Sequence, residues 1–205
     1  MDESKKYLSY DIWIPDNPII VLGRSCIEEN DVKLSAYQNG VPIVRRCGGG
    51  GTVLIDNGVI IIDIVFSNNN DKSIKQYFHI SNMFIVNSLK RMGINALYEE
   101  DNYDLVINNK KFGGVTIYKR KDKILYGASI LIEEETISII NKYLYNSKKQ
   151  PTYRRNRDHN DFLIALGQYS NFNKSHFLNE IENEIIKFKM GEENDRNKNS
   201  NNGCK

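Results

Sequence analysis

Along the first third of the chain the apolar residues come in short runs of β-branched and aromatic type. Tyr10 to Ile14, Ile19 to Gly23, Pro42 to Val44, Thr52 to Ile55 and Val59 to Phe66 each end at turn-forming residues, and each predicts a strand. Between the second and third, "KLSAYQNG" reads as a short helix stopped by Asn39-Gly40. The period then lengthens. In "DKSIKQYFHISNMFIVNSLKRMG" (71–93), Ile74, Phe78, Ile85 and Leu89 share one helical face, Asp71 or Ser73 can cap the start, and Gly93 ends it. Strands return at Leu105 to Ile107, Phe112 to Tyr118 and Ile124 to Leu131, with "NNKK" (108–111) as a hairpin turn. Helices follow at Glu134 to Leu144, Asp161 to Leu166 and Ser175 to Lys189, the last with a stripe of Phe177, Ile181, Ile185 and Phe188. The succession of strands, helix, strands and helices predicts an α+β fold, a mixed or antiparallel β-sheet covered by helices.

Composition narrows this pattern. A chain of 205 residues, 40% hydrophobic, predicts one core, here over residues 1–190, with 191–205 as a disordered polar tail. No apolar run approaches the ~20 residues that span a bilayer, and the first residues lack the apolar stretch of a secretory signal. Cys26, Cys47 and Cys204 are an odd number without metal-ligand spacing, which predicts a reducing, cytoplasmic setting. A net charge of +2, from 28 basic and 26 acidic residues, gives no reason to expect nucleic acid or a membrane surface as partner.

Against this background one stretch is unusual. "IVRRCGGGGTVLID" (43–56) places four successive glycines between strand-forming flanks, where each costs conformational entropy to order. No Lys-Ser/Thr pair follows Gly51, which excludes a P-loop, and a strand rather than a helix follows, which excludes the dinucleotide fingerprint. A strand–glycine loop–strand unit remains, either a plain hairpin or a backbone cradle for an anion. Arg45 and Arg46 alternate across the strand, so one is available to face a phosphate. A second stretch, "NYDLVINNKKFGGVTIYKRKDKILYGASILI" (102–132), carries Lys111 just ahead of Gly113-Gly114, where missing side chains leave room for a lysine to reach a ligand. Read plainly, Lys110 and Lys111 are a solvated turn.

Together the two stretches resemble the lipoate-protein ligase A family, within the wider biotin/lipoate ligase fold. Arg45, Arg46, Gly49, Gly50, Gly51, Val53 and Asp56 match its first signature in register, R-R-x-[ST]-G-G-G-A-V-x-H-D. Asp104, Leu105, Val106, Lys111, Gly114 and Gly127 match the second, N-D-L-V-V…K-[IV]-[SA]-G-S-A…H-G-T-L-L. "NPIIVLGRS" (17–25) is similar to the family's opening segment. Departures are Gly48 for the hydroxyl residue, Thr52 for alanine, and Ile55 and Tyr126 for the two histidines.

The resemblance implies ATP-dependent activation of lipoate to lipoyl-adenylate, then transfer to a lysine of a lipoyl-carrier domain. It implies Lys111 as the catalytic residue. It places Arg46, Gly49, Gly50, Gly51, Thr52, Val53, Leu54, Asp104 and Gly114 around ATP and the acyl-adenylate, with Mg²⁺ on the triphosphate. Val44, Val53 and Val115 are candidates for an apolar acyl slot. Lipoyl-carrier proteins are the implied partners, with a separate accessory chain where larger members carry an accessory domain. The rival readings are an octanoyl or lipoyl transferase working through a cysteine thioester, and a non-catalytic lipoyl-domain-binding homologue. Between Asp122 and Met190 there is no cysteine to serve the first. Finally, "YRRNRDHNDF" (153–162) is either a solvated loop with an Asp cap or a basic edge for pyrophosphate or an acidic partner. His79, His159 and His176 have no ligand spacing for a metal.

Overall fold

The computed structural model describes residues 8–68, 72–147 and 150–201, the last ten of these by backbone alone. Among the described residues nine strands form two sheets. The larger is antiparallel throughout and contains β1 (Ser9–Trp13), β5 (Val59–Ser67), β9 (Lys123–Leu131), β8 (Lys110–Lys119), β7 (Leu105–Ile107) and β6 (Leu97–Tyr98), in that order. The smaller has the order β3 (Ile43–Arg45), β2 (Ile19–Leu22), β4 (Val53–Ile55), with β2 parallel to β3 and antiparallel to β4. The helices are α1 (Glu28–Asp31), α2 (Leu34–Gln38), α3 (Ile74–Arg91), α4 (Glu135–Tyr143), α5 (His159–Phe162) and α6 (Lys174–Asn201).

β5 explains how the layers stack. Residues 59–62 are buried without alternation, because both faces of the sheet are covered there. Ile60, Ile62 and Ile64 pack under α3 and α6, against Ile85, Leu89, Phe177 and Ile181. Val59 and Ile61 point the other way, into a cluster with Ile55, Leu131, Ile137 and Ala165. Beyond Ile62 the cover on that second face ends, and Asp63 and Val65 are only half-buried. The small sheet has its own core, in which Ile20, Leu22 and Leu54 meet Ala36, Tyr143 and Leu144.

Local signals in the sequence account for the element ends. Ser73 accepts from the Gln76 amide while the Gln76 side chain accepts from the Ser73 amide, a reciprocal cap that starts α3. Gly93, at φ 73°, ends it. Asn108 and Asn109, at φ 50° and 60°, supply the two left-handed residues that a tight hairpin between β7 and β8 requires.

Three features differ from the pattern reading. The strands divide into two sheets rather than one. α1 and β6 have no counterpart in the sequence pattern, being 4 and 2 residues long and too short for any periodicity to mark. α6 runs on to Asn201, past the Lys189 at which the sequence pattern ends its helix. Once Phe177, Ile181 and Ile185 anchor its first turns, each further residue adds a hydrogen bond without a new nucleation cost. The rest of the expected tail, 202–205, lies outside the described residues. Among the described residues no helix is long and apolar enough to cross a membrane.

The reciprocal cap yields a direct test. Ser73→Ala is expected to lower unfolding stability by about 1 kcal/mol, seen as a lower urea midpoint at unchanged slope.

Candidate functional site

The glycine loop is held from inside. The Arg46 guanidinium turns back under it and donates from Nε and Nη2 to the Gly49 carbonyl (3.1 and 2.7 Å), from Nη2 to the Gly51 carbonyl (2.7 Å), and from Nη1 to the Val21 carbonyl (3.2 Å). Arg45 donates to the carbonyls of Gly23 (2.9 Å) and Cys26 (2.8 Å). Both arginines therefore hold backbone. The glycines differ in what surrounds them. Gly50 sits at φ 87°, and a side chain on Gly23 would collide with the Gly50 carbonyl. Gly48 packs on Thr116, whose hydroxyl donates to the Gly49 carbonyl at 3.1 Å. A Cβ on Gly49 or Gly51 would meet nothing within 4 Å. The Gly49 and Gly51 carbonyls are held from within the loop, while side-chain space at both glycines is open.

Across from this loop, β8 is irregular. Val106 of β7 faces Lys111, Leu105 faces Gly113, and Phe112 is the extra residue of a β-bulge. The bulge leaves Phe112 fully buried in the large core, and a Cβ on Gly113 would strike Leu105 and Ile130 on the same side. Lys111 and Gly114 face the opposite side, where the lysine lies over the bare glycine. Lys111 Nζ is 2.6 Å from Asp104 Oδ1, and Tyr153 Oη donates to Asp104 Oδ2 at 2.9 Å. Burial and the adjacent Asp104 charge push the Tyr153 hydroxyl far above its ordinary value, so it stays a donor. The segment after α5 joins β8 here: Leu163 bridges Lys111 in parallel, and the Ile164 amide donates to the Lys111 carbonyl at 3.0 Å.

Between these parts lies a cleft of about 640 Å³, counting its open mouth. Thr52, Val53 and Leu54 form one wall, Lys111, Gly113, Gly114 and Ser129 the floor, and Ile140 and Leu144 of the α4 end another side. The segment 151–163 completes it with Arg154, His159, Phe162 and Leu163. Of the residues the sequence singled out, Thr52, Val53, Leu54, Lys111 and Gly114 come together in this cleft, with Asp104 behind Lys111. Gly49, Gly50 and Gly51 belong to the neighbouring loop, and Arg46 beneath it. Of the three valines considered for an apolar slot, only Val53 lines the cleft. Val44 is 48% exposed on β3, and Val115 packs on the large core.

The basic stretch 153–162 proves to be largely structural. Arg154 is buried, donating to the Arg157 carbonyl (2.9 Å) and Asn146 Oδ1 (2.8 Å). Arg157 donates to the carbonyls of Arg154, Asn109 and Tyr153. Both guanidinium groups lie on the Phe162 ring, at 4.6 and 5.4 Å from its centroid. Arg155 and Asn156, both at positive φ, make the turn between them. Tyr153 and His159 lie in the stretch 153–162 that the sequence singled out for its charge, without a specific role for either side chain. His159 has no metal-ligand spacing to mark it, and nothing local marks Tyr153 as a partner of Asp104. Among the described residues no group of three or more His, Cys, Asp or Glu could cage a metal ion.

His159 Nδ1 meets Asn141 Oδ1 at 3.0 Å, and burial together with the Arg154 charge lowers the imidazole from 6.5 to about 4. The folded state thus binds this proton less readily than the unfolded chain. Its stabilising contribution is complete above pH 6.5 and is lost as pH falls from about 6.5 to 4. His159→Gln is expected to flatten the stability–pH curve in that window by about 2 kcal/mol, measured by urea unfolding at stepped pH; an unchanged slope contradicts a neutral buried His159.

With this geometry in place, comparison with known proteins gives a consistent result. The family model of the lipoyl protein ligase A/B catalytic domain matches residues 8–184. Over 133 residues the chain is 32% identical to the probable lipoate-protein ligase A of Mycoplasma genitalium, covering 64% of this chain and 38% of the relative. It is 29% identical over 126 residues to lipoate-protein ligase A subunit 1 of Thermoplasma acidophilum, covering 57% of this chain and 48% of the relative. It therefore spans less than half the length of these two curated relatives. Among solved structures, a putative lipoate protein ligase from T. acidophilum with bound lipoic acid superposes with a TM-score of 0.74 at 21% identity, covering 90% of this chain and 75% of that one. A lipoate-protein ligase A bound with ATP gives 0.73 at 22% identity, covering 90% and 74%. The fold is shared with both, and the family match runs through both strand–loop units that build the cleft. The chain belongs to the lipoyl protein ligase A/B catalytic domain family.

Proposed function

We propose that the chain activates lipoate with ATP and passes the lipoyl group to a lysine of a lipoyl-carrier domain. In the first step a carboxylate oxygen of lipoate attacks the α-phosphorus of ATP, the bond to the bridging oxygen breaks, and pyrophosphate leaves. In the second, an acceptor lysine amine attacks the acyl carbon, AMP leaves, and the amine proton is lost. Both steps gather negative charge between the carboxyl group and the α-phosphate.

The observation that carries this reading is the Lys111 ammonium, held by Asp104 over Gly114 on the floor of a cleft beside a bare glycine loop. In a water-poor site a fixed ammonium interacts with developing charge far more strongly than in bulk water. The outer face of Gly49 and Gly51 allows phosphate oxygens to approach backbone amides without meeting a side chain. The apolar wall of Val53, Leu54 and Leu163 suits a flat base or a hydrocarbon chain. Arg46 contributes by shaping the loop. The described residues offer no cage for Mg²⁺, so a Mg²⁺ ion would be held mainly by the triphosphate and water.

A transferase using a cysteine thioester fits less well. Cys26 Sγ donates to the Gly50 carbonyl at 3.5 Å, Cys47 is exposed, and neither lines the cleft. A T. acidophilum structure is of a bi-partite lipoate protein ligase with its E2 lipoyl domain. That arrangement makes a separate accessory chain a reasonable requirement for the activation step here.

The reading is tested by mixing the protein with an apo lipoyl domain and either lipoate with Mg-ATP, or octanoyl-acyl-carrier protein without ATP. Intact mass of the acceptor gives the product, and preformed lipoyl-adenylate tests transfer alone. Lipoyl addition that needs ATP or the adenylate, and survives Cys26→Ser with Cys47→Ser, is expected. Octanoyl addition lost in the cysteine variant overturns the ligase reading.

Two variants probe the site itself. Lys111→Gln keeps a donor for Asp104 but removes the charge, and adenylate formation is expected to fall at least about a hundredfold with folding retained. Gly51→Val fills open space rather than core. It is expected to abolish the rise in thermal stability on adding ATP while changing the ligand-free midpoint little.

A further inference from the structure

Lys111 has three N–H donors, and the side-chain acceptor it meets is Asp104 Oδ1. How the ammonium is aimed therefore depends on how the Asp104 carboxylate is oriented. The backbone of Asp104 is pinned by its amide donating to Asn102 Oδ1 at 3.0 Å, just after Tyr103 at φ 62°. That bond does not fix the rotation of the carboxylate. The contact that does so is Tyr153 Oη to Oδ2, which leaves Oδ1 facing Lys111. Tyr153 is itself immobilised. Its ring packs on Phe162 at 5.2 Å, and Phe162 carries the Arg154 and Arg157 guanidinium groups. Its backbone carbonyl accepts from Arg157 Nη2 at 3.0 Å.

We propose that Tyr153 is a positioning residue that, through Asp104, aims the Lys111 ammonium into the cleft and couples that aim to the segment walling the cleft. The proposal rests on the role proposed for Lys111 in adenylate formation. The segment carrying Tyr153 also supplies Arg154, His159, Phe162 and Leu163 to the cleft, and its end bridges Lys111 directly. A ligand that presses on this wall therefore acts on Tyr153 as well, and through one carboxylate on the ammonium that meets the reacting carboxyl and phosphate. Wall and lysine form one unit, so a wall out of place also leaves the lysine misaimed.

Tyr153→Phe removes one oxygen and keeps the ring on Phe162, so the fold is retained. In lipoate-dependent adenylate formation, kcat is expected to fall about tenfold to a hundredfold with the ATP KM unchanged within about twofold. In an Asp104→Asn background the same substitution is expected to lower kcat no further, because the carboxylate through which it acts is gone. A rise in ATP KM at constant kcat, or an equal loss in both backgrounds, overturns the proposal in favour of a merely structural tyrosine.

A second measurement needs no turnover. Acetylation of Lys111 by acetic anhydride, followed by peptide mass, is expected to run at least about threefold faster in Tyr153→Phe than in wild type, with other lysines unchanged. Equal rates overturn the proposal. If the wild type forms no adenylate and transfers none, the ligase reading falls, and the acetylation result still decides whether Tyr153 aims Lys111.

Discussion

Opposite Leu105 and Val106 of β7, the facing strand β8 carries one residue too many, and the side chains on either side of that bulge owe their directions to it. Strict alternation would send Lys111 and Gly113 to one face and Phe112 and Gly114 to the other. With the bulge, Phe112 and Gly113 both stay with the core and Lys111 and Gly114 both turn to the cleft. The lysine then lies over a glycine, where a side chain would crowd its Nζ. Gly113 is needed for the converse reason, since Leu105, Ile130 and the Ser129 carbonyl leave no room for a Cβ. One inserted residue thus forces both glycines and exposes one ammonium.

The glycine loop obeys a related constraint. Two arginines beside a run of glycines suggest, in sequence, that one of them is available to face a phosphate. The structure instead directs Arg46 to three backbone carbonyls, two of them within the loop. A loop of four glycines has little conformational preference of its own, so its shape must come from outside. Arg46 supplies that shape through a planar set of donors, and burial makes its charge costly enough that the bonds are difficult to give up. The outer side at Gly49 and Gly51 is left open, and under the proposed function its backbone would meet an anion without a rotamer to order.

What the sequence disclosed and what it hid follow from the range of the interactions. The α3 cap, the Gly93 end and the Asn108-Asn109 turn are local, written within four residues, and are legible for that reason. Lys111, Thr52, Val53 and Leu54 stand out because two glycine-bearing segments interrupt strands in a recognisable way. The separation of the strands into two sheets depends on pairings such as Ile20 with Leu54, and periodicity does not encode partners. Tyr153 meets Asp104 across 49 residues, and His159 meets Asn141 across 18, so neither contact leaves a local trace. The basic run at 153–162 misleads for the opposite reason. Its charges look exposed in sequence, but Arg154 and Arg157 are used to clamp a phenylalanine.

That clamp also shapes the field of the cleft. The whole chain is close to neutral, at +2, yet the groups gathered here are not balanced. Lys111 and Arg154 line the cleft and Arg157 stands behind Phe162, while Asp104 is the carboxylate paired with Lys111. Tyr153 is kept protonated and so supplies no compensating negative charge, and His159 is kept neutral and adds no charge of either sign near pH 7. The sum is positive inside apolar walls, where charges are poorly screened and a polyanion is drawn in. Structural arginines therefore contribute at a distance even without touching a ligand. An Arg157→Gln change would keep hydrogen bonds to the Asn109 and Tyr153 carbonyls within reach while removing one charge from this field. The proposed binding of a triphosphate should then weaken by an amount that shrinks as salt is raised, since added ions screen the charge that was removed. Had Arg157 instead held the triphosphate by a direct hydrogen bond, its removal would weaken binding at every salt concentration.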